Sequence, residues 1–308
     1  MKKTPDKFRG LWPVMLTPFR ENKTIDFRAL DLLTEFYIES GAQGLFANCL
    51  SSEMFELTPQ ERLAVIRAVV RRVGGKIPIV ATGTFGGQVK DQAEFIKKIC
   101  DLGADAAILI TSLLVRKKQD ESRLEINILR LAGLLPGIPL GLYECPVPYK
   151  RILSAKLTGK LASTERFLYL KDTTCNTSEI KAKINAVSGT ALAIFNANTP
   201  TALDSLKAGA DGLSAISANF FPEFYTWLYR NFRNEKLADQ VNYLSDELTM
   251  MDAITRINYP MNAKVFLARR GLGIKPVTRI RGRCLDEEEA KMLDKLYNRY
   301  KFLAKEFA

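Results

Sequence analysis

The 308-residue sequence contains no histidine. That absence excludes Ser-His and Cys-His nucleophile pairs, histidine-ligated zinc and an imidazole general base. Acid–base chemistry must therefore come from carboxylates, lysine, tyrosine or cysteine. No apolar run approaches the roughly 18 residues needed to span a bilayer, so no membrane partner is expected. The opening Met1-Lys-Lys-Thr-Pro-Asp-Lys lacks the apolar stretch of a secretory leader. The five cysteines (Cys49, Cys100, Cys145, Cys175, Cys284) include no C-x-x-C pair, as expected for reduced thiols in a cytoplasmic protein. Lys and Arg (45) exceed Asp and Glu (34), giving +11. The basic residues are dispersed and form no stripe interleaved with aromatics, which speaks against a nucleic-acid partner and for a small anionic one.

What the chain does have is one repeated pattern. Short apolar runs at Gly10–Phe19, Gly44–Cys49, Pro78–Gly83, Ala106–Thr111, Pro139–Cys145, Phe167–Thr173, Leu192–Ala197 and Gly212–Ser217 alternate with helical stretches. The phrases ESGAQGLF, DLGADAAILI and KAGADGLSAI each place glycine at a helix end just before a strand. Thr58-Pro59-Gln60-Glu61 combines an N-cap hydroxyl, proline at the first helical position and a carboxylate that can reach back to the cap. Eight strand–helix units without a glycine-rich first turn predict a (β/α)8 barrel. From about residue 222 onward only helical patterns follow. Residues 1–235 are thus expected to form the barrel, and residues 236–308 a helical extension packed on it.

In such barrels the reactive groups lie at the C-terminal strand ends. The fifth run ends Leu140-Gly141-Leu142-Tyr143 and the sixth Leu168-Tyr169-Leu170-Lys171. Alternation sends the leucines outward and turns Gly141, Tyr143, Tyr169 and Lys171 into the lumen, with Tyr143 and Lys171 on strands about 4.8 Å apart. An isolated inward lysine or tyrosine is usually a structural residue. Together they have matching chemistry: a desolvated amine attacks a carbonyl, and a phenol moves the protons.

The segments GLWPVMLTPF, SSEMFELTPQER, YECPVP, YLKDTT, GADGLSAISAN and YPMNAKVFL resemble the dihydrodipicolinate synthase/N-acetylneuraminate lyase superfamily over nearly the whole chain. By that resemblance Lys171 is the Schiff-base lysine and Tyr143 the proton shuttle. Ser51 and Ser52 fall in the loop that holds a 2-oxo acid carboxylate, and Glu53 is a structural acid. Thr17, Asn196 and Ser214, at the ends of other strands, are added as substrate-binding candidates. The resemblance implies a Schiff-base aldolase or lyase, or a related dehydratase, with no cofactor and no metal, acting on pyruvate or a longer sugar-derived 2-oxo acid. It also implies a homo-oligomer, tetramer or dimer.

Several positions depart from the family pattern. Leu50 stands where a relay hydroxyl belongs, the loop lacks both glycines, and Thr111–Val115 lacks a second tyrosine. These changes point away from the synthase reaction itself. They also give weight to an alternative in which the chain binds a small acid with little or no turnover. Weaker expectations are a cationic rim at Arg116–Lys118 and Lys150-Arg151, polyol contacts from Asn196, Asn198 and Asn219, and a three-cysteine metal site at Cys49, Cys145 and Cys175.

Overall fold

Residues 7–308 are described in the computed structural model, where the eight apolar runs become eight short parallel strands. These are β1 (Gly10–Leu11), β2 (Leu45–Ala47), β3 (Ile79–Thr82), β4 (Ala106–Ile110), β5 (Leu140–Tyr143), β6 (Phe167–Asp172), β7 (Ala193–Asn196) and β8 (Gly212–Leu213). They lie in the order β1-β8-β7-β6-β5-β4-β3-β2. Between β1 and β2 the ring is closed by a parallel bridge, Val14 to Phe46, with Met15 N donating to Phe46 O and Phe46 N donating to Pro13 O, each at 3.0 Å. The fold is a (β/α)8 barrel.

The first and last strands are shorter than the apolar runs that announce them. Pro13 and Pro18 lack the N–H a ladder requires, so Gly10–Phe19 pairs with the barrel strands only at its start and at Val14, and its end makes an antiparallel bridge from Phe19 to Ile25. The eighth run leaves the sheet after Leu213 and closes into a 3₁₀ turn at Ile216–Asn219.

Helices α1 (Phe27–Glu39), α2 (Pro59–Val73), α3 (Val89–Asp101), α4 (Glu121–Gly133), α5 (Ala155–Ala162), α6 (Thr177–Ala186), α7 (Ala202–Lys207) and α8 (Pro222–Asn231) follow the strands in turn. The α2 cap forms as its sequence implies. Glu61 N donates to the Thr58 hydroxyl at 3.2 Å, Thr58 N donates to the Glu61 carboxylate at 2.9 Å, and Gly74 ends the helix at φ +57°.

Strand alternation sorts the core into two layers. Leu140, Leu142, Phe167 and Leu170 pack outward against Leu131, Leu157 and Leu161 of the helix ring. Tyr143 and Tyr169 share the lumen with Trp12, Phe46, Ile108 and Phe195. The Tyr169 and Phe195 rings stack at 4.5 Å, with Trp12 5.1 Å from Phe195, and together they floor the barrel beneath the strand ends. Gly141 is required by this crowding, because a Cβ there would collide with Ile108 and approach the Tyr169 backbone at 3.0 Å.

Helices α9 (Ala238–Thr255), α10 (Met261–Arg269) and α11 (Glu287–Phe307) form the C-terminal extension. Leu244, Leu248, Phe266, Leu293 and Leu303 join Leu30, Leu33 and Phe224 in one continuous core, so the extension has its apolar face built into the barrel wall. A buried charge pair fastens it further. Lys264 Nζ sits 2.5 Å from Glu53 Oε1, while Glu53 Oε2 accepts from the Thr278 hydroxyl and from Arg279 N, both at 2.7 Å. Glu53 thereby ties the loop after β2 to α10 and to residues 278–279. Among the described residues, no helix is long and apolar enough to cross a membrane.

Candidate active site

The register between β5 and β6 sets the site. The pairing shifts by one residue after Leu140–Phe167, so that Gly141 faces Tyr169 and Tyr143 faces Lys171. Inward-pointing side chains on neighbouring strands then stand at equal height. Lys171 Nζ lies 5.0 Å from the Tyr143 ring centre and 6.0 Å from that of Phe46. Both Tyr143 and Lys171 are 3% exposed. Burial brings the Lys171 amine down to about 8, although the Cys49 and Cys145 thiols nearby favour its charged form. Burial also raises the Tyr143 phenol well above its usual value, helped by the adjoining Cys145. The site thus contains an amine that is readily neutral and a phenol that keeps its proton.

The carboxylates flanking these two residues in sequence point the other way. Glu144 and Asp172 project behind the strands onto Lys183 of α6, whose Nζ is 2.5 Å from Glu144 Oε1 and 2.7 Å from Asp172 Oδ2. Glu144 also accepts from Leu153 N and Thr173 N at 2.9 Å. Asp172 accepts from the Thr174 hydroxyl at 2.7 Å. The three charged groups are essentially inaccessible to solvent. Burial raises the Glu144 pKa, while Lys183 opposes the rise. The cluster clamps the ends of β5 and β6 one residue beyond the lumenal pair and prevents either carboxylate from neutralising Lys171. Sequence reading passed over Lys183, because α6 offers no local sign that one of its lysines turns inward.

Above the lysine and tyrosine opens a cavity of about 650 Å³. Ser51 lines it, as do Leu50, Phe55, Val147, Ile216 and Ile280, and the exposed cations Lys150, Arg256 and Arg283 stand at its edge. The structure does not bring Ser52, Thr17, Asn196 or Ser214 to this cavity. The 3₁₀ turn Leu50–Ser52 folds the Ser52 hydroxyl back, where it donates to Met15 O at 2.6 Å and accepts from Cys49 N at 3.0 Å. Thr17 donates to Ser52 O at 2.8 Å. Asn196 follows the lumenal Phe195, so it faces outward and bonds Ser205 and Thr201 at 2.9–3.1 Å. Ser214 donates to Trp12 O at 2.9 Å and accepts from Tyr169 at 3.1 Å.

The weaker expectations divide in the same way. Asn198 and Lys150 line the cavity. Asn219 instead donates to Val14 O at 2.8 Å and to the Tyr259 hydroxyl at 2.6 Å. Arg151 donates to Gln119 O at 2.9 Å, and Arg116–Lys118 lie outside the lining. Among the described residues all five cysteines are free, and no group of three or more cysteines and carboxylates could hold a metal ion.

Tyr259, between α9 and α10, is a site residue that sequence reading missed. Its phenol enters the cavity from the C-terminal extension beside Ser51 and accepts from Asn219 at 2.6 Å, and burial raises its pKa far above normal. It sits in the YPMNAKVFL segment, so the segment was marked even though the tyrosine itself was not.

The model of the dihydrodipicolinate synthetase family matches residues 7–299. The chain belongs to that family. It is 29% identical over 268 residues to 4-hydroxy-tetrahydrodipicolinate synthase of Marinobacter nauticus, covering 86% of each chain. It is 27% identical over 298 residues to the enzyme of the same name from Staphylococcus epidermidis, covering 96% of this chain and 97% of that one. The chloride-inhibited dihydrodipicolinate synthase of Acinetobacter baumannii, solved in complex with pyruvate, superposes with a TM-score of 0.84 at 26% identity, covering 94% of this chain and 98% of that one. A monomeric dihydrodipicolinate synthase variant shares the fold at a TM-score of 0.87 and 18% identity.

Proposed function

We propose that this family member is a Schiff-base aldolase or lyase acting on a 2-oxo acid, with Lys171 as nucleophile and Tyr143 as proton carrier. The observation that carries the reading is the buried Lys171 amine, brought down to about 8 and set against the Tyr143 phenol at the closed end of an open cavity. The neutral amine adds to the C2 ketone, and water leaves to give an iminium. In cleavage of a 4-hydroxy-2-oxo acid, the C3–C4 bond then breaks and its electron pair flows into the iminium. Tyr143, having given its proton to the hydroxyl that leaves as water during imine formation, takes the C4 hydroxyl proton, and an aldehyde and an enamine result. The enamine takes a proton at C3, and water releases pyruvate and restores the amine. Tyr143 is the phenol placed to move these protons. Ser51 and Tyr259, which both line the cavity, offer hydroxyls to the carboxylate. The rim cations Lys150, Arg256 and Arg283 draw the anion in.

Borohydride reduction in the presence of pyruvate tests the proposal. The expected result is a pyruvate adduct located by mass spectrometry on Lys171. No adduct, or one that persists in Lys171→Ala, would remove it. Tyr143→Phe should still trap pyruvate, but with a turnover about 10²-fold lower or worse, since a general acid–base group is typically worth 10²–10⁴-fold. Equal turnover in the variant would take the proton-carrying role from Tyr143.

One observation favours a second reading. Leu50 occupies the relay position and lines the cavity, which suits a protein that binds a small acid with little turnover. Pyruvate trapping combined with no cleavage or condensation across a broad panel of 2-oxo acids and aldehydes would select this alternative. Assembly as a dimer or tetramer rests on the family resemblance, and sedimentation velocity would measure it.

A further inference from the structure

We infer that the substrate portion beyond the reacting carbons is apolar, an aromatic or branched aliphatic group and not a polyol or a second carboxylate. The inference rests on the imine chemistry proposed above and deepens it. Above Lys171 the apolar part of the cavity wall, larger than its polar part at Glu56, Thr173 and Asn198, is made by Leu50, Phe55, Val147, Ile216, Pro260 and Ile280, drawn from the loops after β2, β5 and β8 and from the C-terminal extension. Leu50 and Ile216 are partly exposed, so their apolar surfaces are available to a bound molecule.

Of Asn196, Asn198 and Asn219, only Asn198 lines the cavity, and its Oδ1 already accepts from the Thr201 hydroxyl at 3.0 Å. Asn196 bonds Ser205 and Thr201, Asn219 bonds Val14 and Tyr259, and the Thr173 hydroxyl donates to Glu144 O at 2.7 Å. A sugar hydroxyl seated against this wall would give up water without a replacement partner, whereas an aryl or branched alkyl group would exchange water for carbon contacts. The cations do not reverse this preference. Arg256 is held by Asp252 at 2.6 Å, and Lys150 and Arg283 are solvent-exposed at the mouth, where they act on approach more than on the seated tail.

Trapping on Lys171 measures the preference without requiring turnover. The amine and the C2 ketone form an imine with loss of water. Borohydride then delivers hydride to the imine carbon while the nitrogen takes a proton, fixing the ligand as a secondary amine. The full-length protein is titrated with 2-oxo-4-phenylbutanoate (aryl), 2-keto-3-deoxygluconate (polyol) and 2-oxoadipate (acidic), with pyruvate as reference and total adduct scored by mass spectrometry. Half-maximal trapping is expected at a concentration at least about tenfold lower for the aryl acid than for either of the others, the scale of one or two well-seated apolar groups. If pyruvate is trapped and the polyol or acidic compound matches or beats the aryl acid, the inference is overturned and the imine proposal stands. If pyruvate itself is not trapped, both fall. Leu50→Ser is expected to narrow the aryl-to-polyol ratio several-fold, and a ratio it leaves unmoved would overturn the role given to this wall.

Discussion

Lys171→Met is expected to abolish pyruvate trapping and turnover while making the fold more stable near neutral pH. Lys171 is buried against Phe46 and Tyr143, and its flanking acid Asp172 is committed to Lys183, so its charge is carried in the native state at a cost. The fall from 10.5 to about 8 corresponds to roughly 3 kcal/mol of destabilisation when the amine is protonated. The sign follows from proton counting. Below about pH 8 both folded and unfolded chains hold the proton, and the cost is felt in full. Between about 8 and 10.5 the unfolded chain binds the proton more strongly than the folded one, so wild-type stability rises with pH and the variant's advantage shrinks. Urea unfolding of both proteins at pH 7 and at pH 9.5 would measure this, and an advantage equal at both pH values would contradict the buried-charge account. The same shift leaves about one lysine in ten neutral at pH 7. Imine formation by the wild type should therefore accelerate up to about pH 8 and then level off.

Lys183→Met should have the opposite effect on stability. It leaves Glu144 and Asp172 facing each other in a solvent-free space with no cation between them. Removing one partner from a buried charge cluster typically costs about 3–5 kcal/mol. Activity should fall as well, because the cluster fixes the strand ends that hold Tyr143 and Lys171 in register. Glu144 is already raised by burial and loses the one cation opposing that rise. The variant should therefore recover part of its deficit as the pH is lowered and Glu144 takes up a proton. Denaturant midpoints at pH 7.5 and pH 5 would show it. A deficit that widens toward acid would refute this account of the cluster.

The lumenal pair was legible because it depends on strand periodicity alone. Leu140, Leu142 and Leu170 mark the outward face, and two-residue alternation then places Tyr143 and Lys171 inward whatever surrounds them. The same rule fails at strand ends, where turns redirect side chains. Ser51 and Ser52 are adjacent in one 3₁₀ turn, yet one lines the cavity and the other seals the loop onto Met15. Asn196, by contrast, obeys the rule: alternation after the lumenal Phe195 carries it to the helix side, away from the site expected for it.

The order of strands and helices, the inward amine and phenol, and the want of any imidazole chemistry were determined by the sequence itself, because each follows from local periodicity or from composition. Which distant groups meet them was decided only by the closed barrel. Lys183 reaches Glu144 across 39 positions and Tyr259 reaches Asn219 across 40. Leu50 joins Ile280 on one wall. No local spacing encodes such contacts, since they arise when eight strands share one axis and a C-terminal extension folds back over its mouth.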